Sequence, residues 1–179
     1  MVLLGPVFES FINQSPLSVM ARATVEHAFS ASALDDLFER ERSRGYTREL
    51  LFSSVVELMA LVTLGKAPNV KAAFQQVRER VPVSLKSVYD KLAHIELAVS
   101  RGVVCHTASR CRDVITELGG ACKPLLPGYC VRILDGNHLA GTQKRLLPTR
   151  RRSAAPLPGQ VLAILDPQAM LICDVILCE

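Results

Sequence analysis

Residues 131–138, Val-Arg-Ile-Leu-Asp-Gly-Asn-His, mark the point where the sequence changes from a helical to an extended pattern. Aliphatic residues lead to Asp135, and Gly136, which tolerates sharp turns, follows it. This pattern is typical of a short buried strand that presents the Asp135 carboxylate to a cleft at its end. An Asp-Gly pair after a strand is also a common plain turn, and the residues alone leave both interpretations open.

Two further strands are predicted after this one. Residues 138–158 are polar, basic and proline-containing, which predicts a long loop. Apolar runs follow at 161–165 and 170–177, separated by Asp166-Pro167-Gln168-Ala169. Asp followed by Pro favours the opening of a tight turn, so these runs predict a strand, a turn and a strand. With residues 130–135 they predict a β-meander.

The first two-thirds of the sequence predicts helices. Helix-start signals occur at Ser15-Pro16, at the capping-box-like residues 32–35, at Asn69 and at Ser84. With the apolar periodicity, they predict helices over about residues 16–29, 32–45, 48–64, 69–81, 84–95 and 96–118, the last with a break at Gly102. The expected fold class is α+β, with a helical, DNA-binding domain at 1–125 and a second domain at 126–179.

The helices over 69–81 and 84–95 are short, amphipathic and joined around Val81-Pro82-Val83-Ser84. This arrangement favours a helix-turn-helix, whose second helix enters the major groove of DNA. Its outward residues would be Lys86, Ser87, Asp90, Lys91 and His94, and we expect Lys86, Ser87 and Lys91 to contact DNA. Consecutive short helices also occur in any helical bundle, so the bundle interpretation stays open.

The composition excludes several classes of protein. The chain has 179 residues, 49% of them hydrophobic, and a net charge of +4, which is the composition of a folded chain rather than a disordered one. It has no Trp and few other aromatic residues, so we expect an aliphatic core and no stacking platform for single strands. The longest apolar stretch, residues 50–64, is too short and too polar for a membrane span, and the first residues do not resemble a signal peptide.

The six cysteines favour reduced thiols in a cytoplasmic protein. No two of them have the Cys-x-x-Cys spacing of a zinc site.

Positive charge is concentrated in one segment. Residues 123–152 contain seven basic side chains and one acidic one, Asp135. Such a segment indicates a polyanionic partner, although a solvated loop that aids solubility explains the charge equally well.

Several runs together resemble bacterial insertion-sequence transposases of the DDE class. They are ILDGNHL at residues 133–139, QKRL at 143–146, APLPGQVL at 155–162, Asp166-Pro167, and, less specifically, the region 61–93 with SVYDKL at 87–92. The resemblance implies that residues 126–179 hold the first three strands of an RNase H-like domain. It also implies a bacterial, nucleoid-associated location, double-stranded DNA at transposon ends as the partner and no membrane contact, and it leaves a homodimer open.

In this class two Asp and one Glu bind two Mg²⁺ ions, which activate the attacking oxygen and stabilise the leaving one. The resemblance makes Asp135 the first of these acids, a catalytic residue and a Mg²⁺ ligand. It also favours DNA backbone contacts for the basic segment, namely for Lys144, Arg145, Arg150, Arg151 and Arg152.

The sequence departs from the family pattern at the other two acids. Asp166 lies at the predicted turn, Asp174 in the middle of a predicted strand and Glu179 at the end, and none matches the family's positions. We therefore expect a truncated transposase that binds terminal repeats and is inactive alone. The alternatives are a non-catalytic DNA-binding or regulatory protein derived from a transposase, and a helical protein with no nucleic-acid role.

Overall fold

The computed structural model describes residues 12–43, 49–139 and 159–178. Within these ranges, helices come first and an antiparallel sheet follows, which confirms the α+β class. The helices are α1 (Pro16–Ala28), α2 (Ala31–Glu41), α3 (Phe52–Thr63), α4 (Val70–Val77), α5 (Leu85–Ala93) and α6 (Leu97–Glu117). The strands are β1 (Ile133–Leu139), β2 (Gly159–Asp166) and β3 (Leu171–Cys178). In this part of the chain no helix is both long and apolar enough to cross a membrane.

The predicted caps of α4 and α5 are confirmed. The Asn69 side chain accepts a hydrogen bond from the Ala72 amide at 2.9 Å, and the Ser84 hydroxyl accepts one from the Ser87 amide at 3.1 Å. Each bond satisfies an amide that the first turn of a helix leaves without a partner. At α2 the prediction is wrong by two residues, because Ser30 rather than Ser32 precedes the helix.

The predicted break of α6 at Gly102 is also wrong, since the helix runs through it without interruption. A Cβ atom at Gly102 would lie 3.1 Å from Glu41 Cγ and 3.4 Å from Leu37 Cδ2. The glycine therefore lets α2 approach α6 closely. The predicted end is confirmed, because Gly119 has φ +65°, a left-handed conformation that ends a helix.

The helices enclose two apolar cores that share α3, and both contain phenylalanine as well as aliphatic side chains. Leu58 of α3, Phe74 of α4 and Val88 of α5 belong to one core, and all three are buried. The other core lies between α2, α3 and α6 and contains Leu34, Leu37, Phe38, Phe52 and Val99. Burial of each such side chain contributes about 1.5–3 kcal/mol, so packing on both sides of α3 stabilises the helical part.

The sheet has the order β1-β2-β3, and both pairs are antiparallel, as the predicted meander requires. Residues 167–170 form the turn between β2 and β3. The plain-turn interpretation of Asp135-Gly136 is wrong, as is the placement of Asp135 at a strand end. β1 continues to Leu139, because residues 136–139 all pair with β2.

Helix α6 connects the helical cores to the sheet. It packs against α1 and α2 on one side and against β3 on the other. A further link joins the segment after α6 to the β2–β3 turn, where the Cys122 amide donates to the Gln168 carbonyl at 2.7 Å. The sheet is thus held against the helix that also completes the second core.

Candidate functional site

Asp135 lies on the sheet face opposite to α6. Neighbouring strands place Asp135, Ala163 and Val175 side by side, so these three side chains share one face. The adjacent row, Leu134 with Ile164 and Asp174, points to the other face, because successive residues of a strand alternate. Asp174 contacts α6, which identifies that second face as the covered one.

Asp135 lies beside the apolar residues Ala163 and Val175 of the neighbouring strands. Its side chain is exposed, and the structure gives it no hydrogen bond or ion pair within the ranges it describes. Ile133, two residues earlier on the same strand face, is also exposed. A carboxylate in this position is free to accept a ligand from solvent.

Asp174 is held by α6 instead. Arg101 binds it with two parallel hydrogen bonds, from Nε to Oδ1 at 2.7 Å and from Nη2 to Oδ2 at 2.6 Å. The Cys105 thiol adds a contact to Oδ1 at 3.3 Å. The hydrogen bonds from Arg101 are the main reason that the pKa of Asp174 lies well below its usual range. Burial raises the pKa of the Cys105 thiol.

Asp166 is the buried acid of the sheet, with 5% of its surface exposed. Its Oδ1 accepts a hydrogen bond from the Gln168 amide at 3.0 Å, so the side chain stabilises the turn that the sequence predicts here. Its Oδ2 also forms ion pairs with two arginines, with Arg112 Nη2 at 3.0 Å and with Arg132 Nη2 at 3.4 Å. A buried carboxylate needs such partners because desolvation of an unpaired charge is costly.

The sequence reasoning missed both arginine partners on α6. Arg101, Cys105, Ala108 and Arg112 follow one another in steps of four, three and four, which places them on one helix face. That periodicity was visible in the sequence, but only the packing of α6 on the sheet shows which carboxylates they meet.

The described residues do not build a two-metal site around Asp135. Asp166 and Asp174 pair with arginines of α6 rather than with Asp135. In this part of the chain no group of three or more His, Cys, Asp and Glu side chains is close enough to hold a metal ion. Asp135 supplies one oxygen ligand of the type that Mg²⁺ prefers, and a pair of ions needs more than one.

Helix α5 differs from the predicted DNA-reading helix. Lys86 is exposed as expected, but the Ser87 hydroxyl lies 2.8 Å from the Ser84 hydroxyl within the helix cap. The expectation that Lys91 points outward is wrong, because its ammonium group donates to the Leu50 carbonyl and lies 4.8 Å from the centroid of the Phe38 ring. Burial lowers the pKa of Lys91, and Asp35 and Glu39 oppose that shift.

The predicted basic contacts of the long loop lie outside the described residues. They are Lys144, Arg145, Arg150, Arg151 and Arg152. Their DNA-binding role stays a prediction.

Comparison of the chain with protein-family models, with curated proteins and with solved structures found no match.

Proposed function

We propose that this chain binds double-stranded DNA as part of a DDE-class transposase and that Asp135 is the first acid of its Mg²⁺-dependent site. The observation that carries the proposal is the position of Asp135 on the first strand of an antiparallel β1-β2-β3 meander. This is where the resemblance to the transposases places the first acid. The Asp135 side chain is exposed and available to a ligand.

The edge of β1 supports the same proposal. In an RNase H-like sheet, the strand with the first acid is central, with strands on both sides. Here β2 occupies one side of β1, and no described strand pairs with the other. An unpaired edge offers a row of backbone donors and acceptors to a further strand.

The charge distribution supports DNA as the partner. Seven basic side chains lie within residues 123–152, the segment that contains Asp135. Binding to phosphates releases condensed cations, so the affinity of such a protein for DNA falls steeply with salt concentration.

The first test measures the affinity of the chain for unrelated duplexes and for candidate element ends over a range of salt concentrations. We expect a linear decrease of log K with log salt, with a slope of about −0.9 for each phosphate contact. An affinity that does not change with salt would contradict DNA binding.

The second test examines Asp135 itself. In EDTA, Asp135→Asn should bind DNA more tightly than the wild type, because it removes a negative charge near the phosphates. Mg²⁺ at constant ionic strength should raise the affinity of the wild type more than that of the variant. Asp113→Asn, which removes an exposed carboxylate of α6, is the matched control. Equal behaviour of the two variants would exclude the proposed role of Asp135.

A second candidate is a non-catalytic DNA-binding or regulatory protein related to transposases. The ion pairs of Asp166 and Asp174 favour it, because among the described residues they leave Asp135 as a single acid on its sheet face. Salt-dependent DNA binding without Mg²⁺-dependent nicking would support this candidate. Nicking that Asp135→Ala abolishes would support the enzyme.

A further inference from the structure

The solvent side of α4 carries a basic and polar row. Lys71 and Gln75 of α4 and Arg78, the residue directly after it, are exposed and follow one another in steps of four and three. Arg78 keeps helical backbone angles, so the three lie on one face. The opposite face, with Ala73, Phe74 and Val77, is buried in the first core. The row is therefore held by a helix whose orientation the core determines.

The charge around this row is mainly positive. Residues 58–78 contain Lys66, Lys71 and Arg78 and no Asp or Glu, and the exposed Glu79 follows directly after Arg78. Lys66 lies beside α4, because its carbonyl accepts a hydrogen bond from Gln76 Nε2 at 3.3 Å. Arg80 differs from these cations, since Glu57 Oε1 neutralises it at 3.0 Å. A surface of this kind attracts phosphates.

The packing of the helices makes α4 the second member of a helix pair. α4 packs directly against α3, and the two join through a turn that contains Gly65 at φ +68°. A turn with a glycine is common in helix-turn-helix motifs. α4 also meets α5 in the first core, through Phe74 and Val88, but its backbone packs more closely against α3. The two connections are of similar length, residues 64–69 before α4 and residues 78–84 after it.

We propose that α4, as the second helix of an α3–α4 helix-turn-helix, is the element that enters the major groove of DNA. In this arrangement Lys71 and Arg78 contact phosphates, and Gln75 between them contacts the base edges. This assignment rests on the DNA binding proposed above. The row from Lys71 to Arg78 spans about 10 Å along the helix, close to the roughly 12 Å width of the groove. A glutamine amide in the groove pairs best with adenine N6 and N7.

The test compares the salt dependence of DNA binding between charge-matched variants. The double variant Lys71→Gln/Arg78→Gln should make the decrease of log K with log salt less steep. The magnitude of the slope should fall by about 2, one unit for each lost phosphate contact. The ratio of its affinities at 50 and 200 mM salt should be about tenfold smaller than that of the wild type. The control Arg22→Gln/Arg40→Gln removes the same net charge from α1 and α2 and should retain the wild-type slope. All four side chains are exposed, so melting temperatures should agree.

Base recognition is tested separately. The duplex that the wild type selects from a random pool should contain an adenine whose replacement weakens wild-type binding. Gln75→Ala should tolerate that replacement and keep the wild-type salt slope.

The outcomes distinguish this assignment from the proposed function. A wild type without salt-dependent binding to DNA would contradict DNA binding itself. The wild type could instead bind DNA with a salt slope that Lys86→Gln reduces and that the α4 double variant leaves unchanged. This result would overturn only the assignment to α4 and would support α5.

Discussion

Three aspartates of the sheet, Asp135, Asp166 and Asp174, carry the same side chain in three different surroundings. Asp135 is exposed, Asp166 is buried against a turn and two arginines, and Asp174 is clamped by Arg101. The sequence placed Asp166 at a turn and Asp174 within a strand. It did not show that arginines neutralise both carboxylates, because Arg101 and Arg112 are far from them along the chain.

We expect Asp174→Asn to lower the free energy of unfolding at pH 7. Arg101 holds the pKa of Asp174 below its usual range, so the ionised carboxylate stabilises the fold. That contribution is complete above the pKa of an unfolded Asp, about 3.9, and is lost as pH falls through the lower folded pKa. The difference between wild type and variant should therefore shrink in acid. Urea unfolding from pH 7 to pH 2 measures this.

The control for this change is Asp113→Asn, which alters an exposed carboxylate of α6 and should leave the unfolding curve nearly unchanged. A difference between Asp174→Asn and the wild type that persists unchanged at pH 2 would show that lost packing, not lost charge, is responsible.

At the scale of elements, local chemistry explains the well-predicted helix starts. Asn69 and Ser84 cap α4 and α5 because their side-chain oxygens reach amides three residues ahead. The helix break predicted at Gly102 is wrong because a glycine within a helix also allows a second helix to approach closely. The helix that approaches, α2, is distant in sequence, so its proximity could not be predicted from the residues around Gly102.

We expect Asn69→Ala and Ser84→Ala each to lower the free energy of unfolding by about 1 kcal/mol, because each removes a capping hydrogen bond. Ser15→Ala and Ser30→Ala are matched controls, since neither serine makes a side-chain capping bond, and their effect should be much smaller. Urea midpoints at constant m-value measure the four changes. Equal losses in all four variants would contradict the capping explanation.

At the scale of the whole molecule, α6 determines how the sheet sits on the helical cores. Two of its three arginines bind carboxylates of the sheet: Arg101 binds Asp174 on β3, and Arg112 binds Asp166 at the end of β2. Arg132, just before β1, joins the second of these sites. The position of Asp135 relative to the helices therefore depends on ion pairs on the opposite face of the sheet.

We expect Asp166→Ala to lower the free energy of unfolding by about 2–4 kcal/mol, because it leaves two arginines and a turn amide without their acceptor. Asp166→Asn keeps an acceptor oxygen for the turn and should lose less. Urea unfolding gives the free energies, and amide hydrogen exchange should show the loss of protection in the β2–β3 hairpin. A loss in Asp166→Ala below about 0.5 kcal/mol, typical of a surface change, would contradict this role.

Local sequence signals were sufficient to predict the helix caps at Asn69 and Ser84, the end of α6 at Gly119 and the Asp166-Pro167 turn. These features depend on a side chain and the backbone within a few residues of it. Three other features became clear only from the packing of the elements: Lys91 turns inward, Asp166 and Asp174 pair with α6, and β1 continues past Asp135. These outcomes depend on which distant element lies opposite each residue, because burial and charge pairing are set by packing rather than by neighbours along the chain.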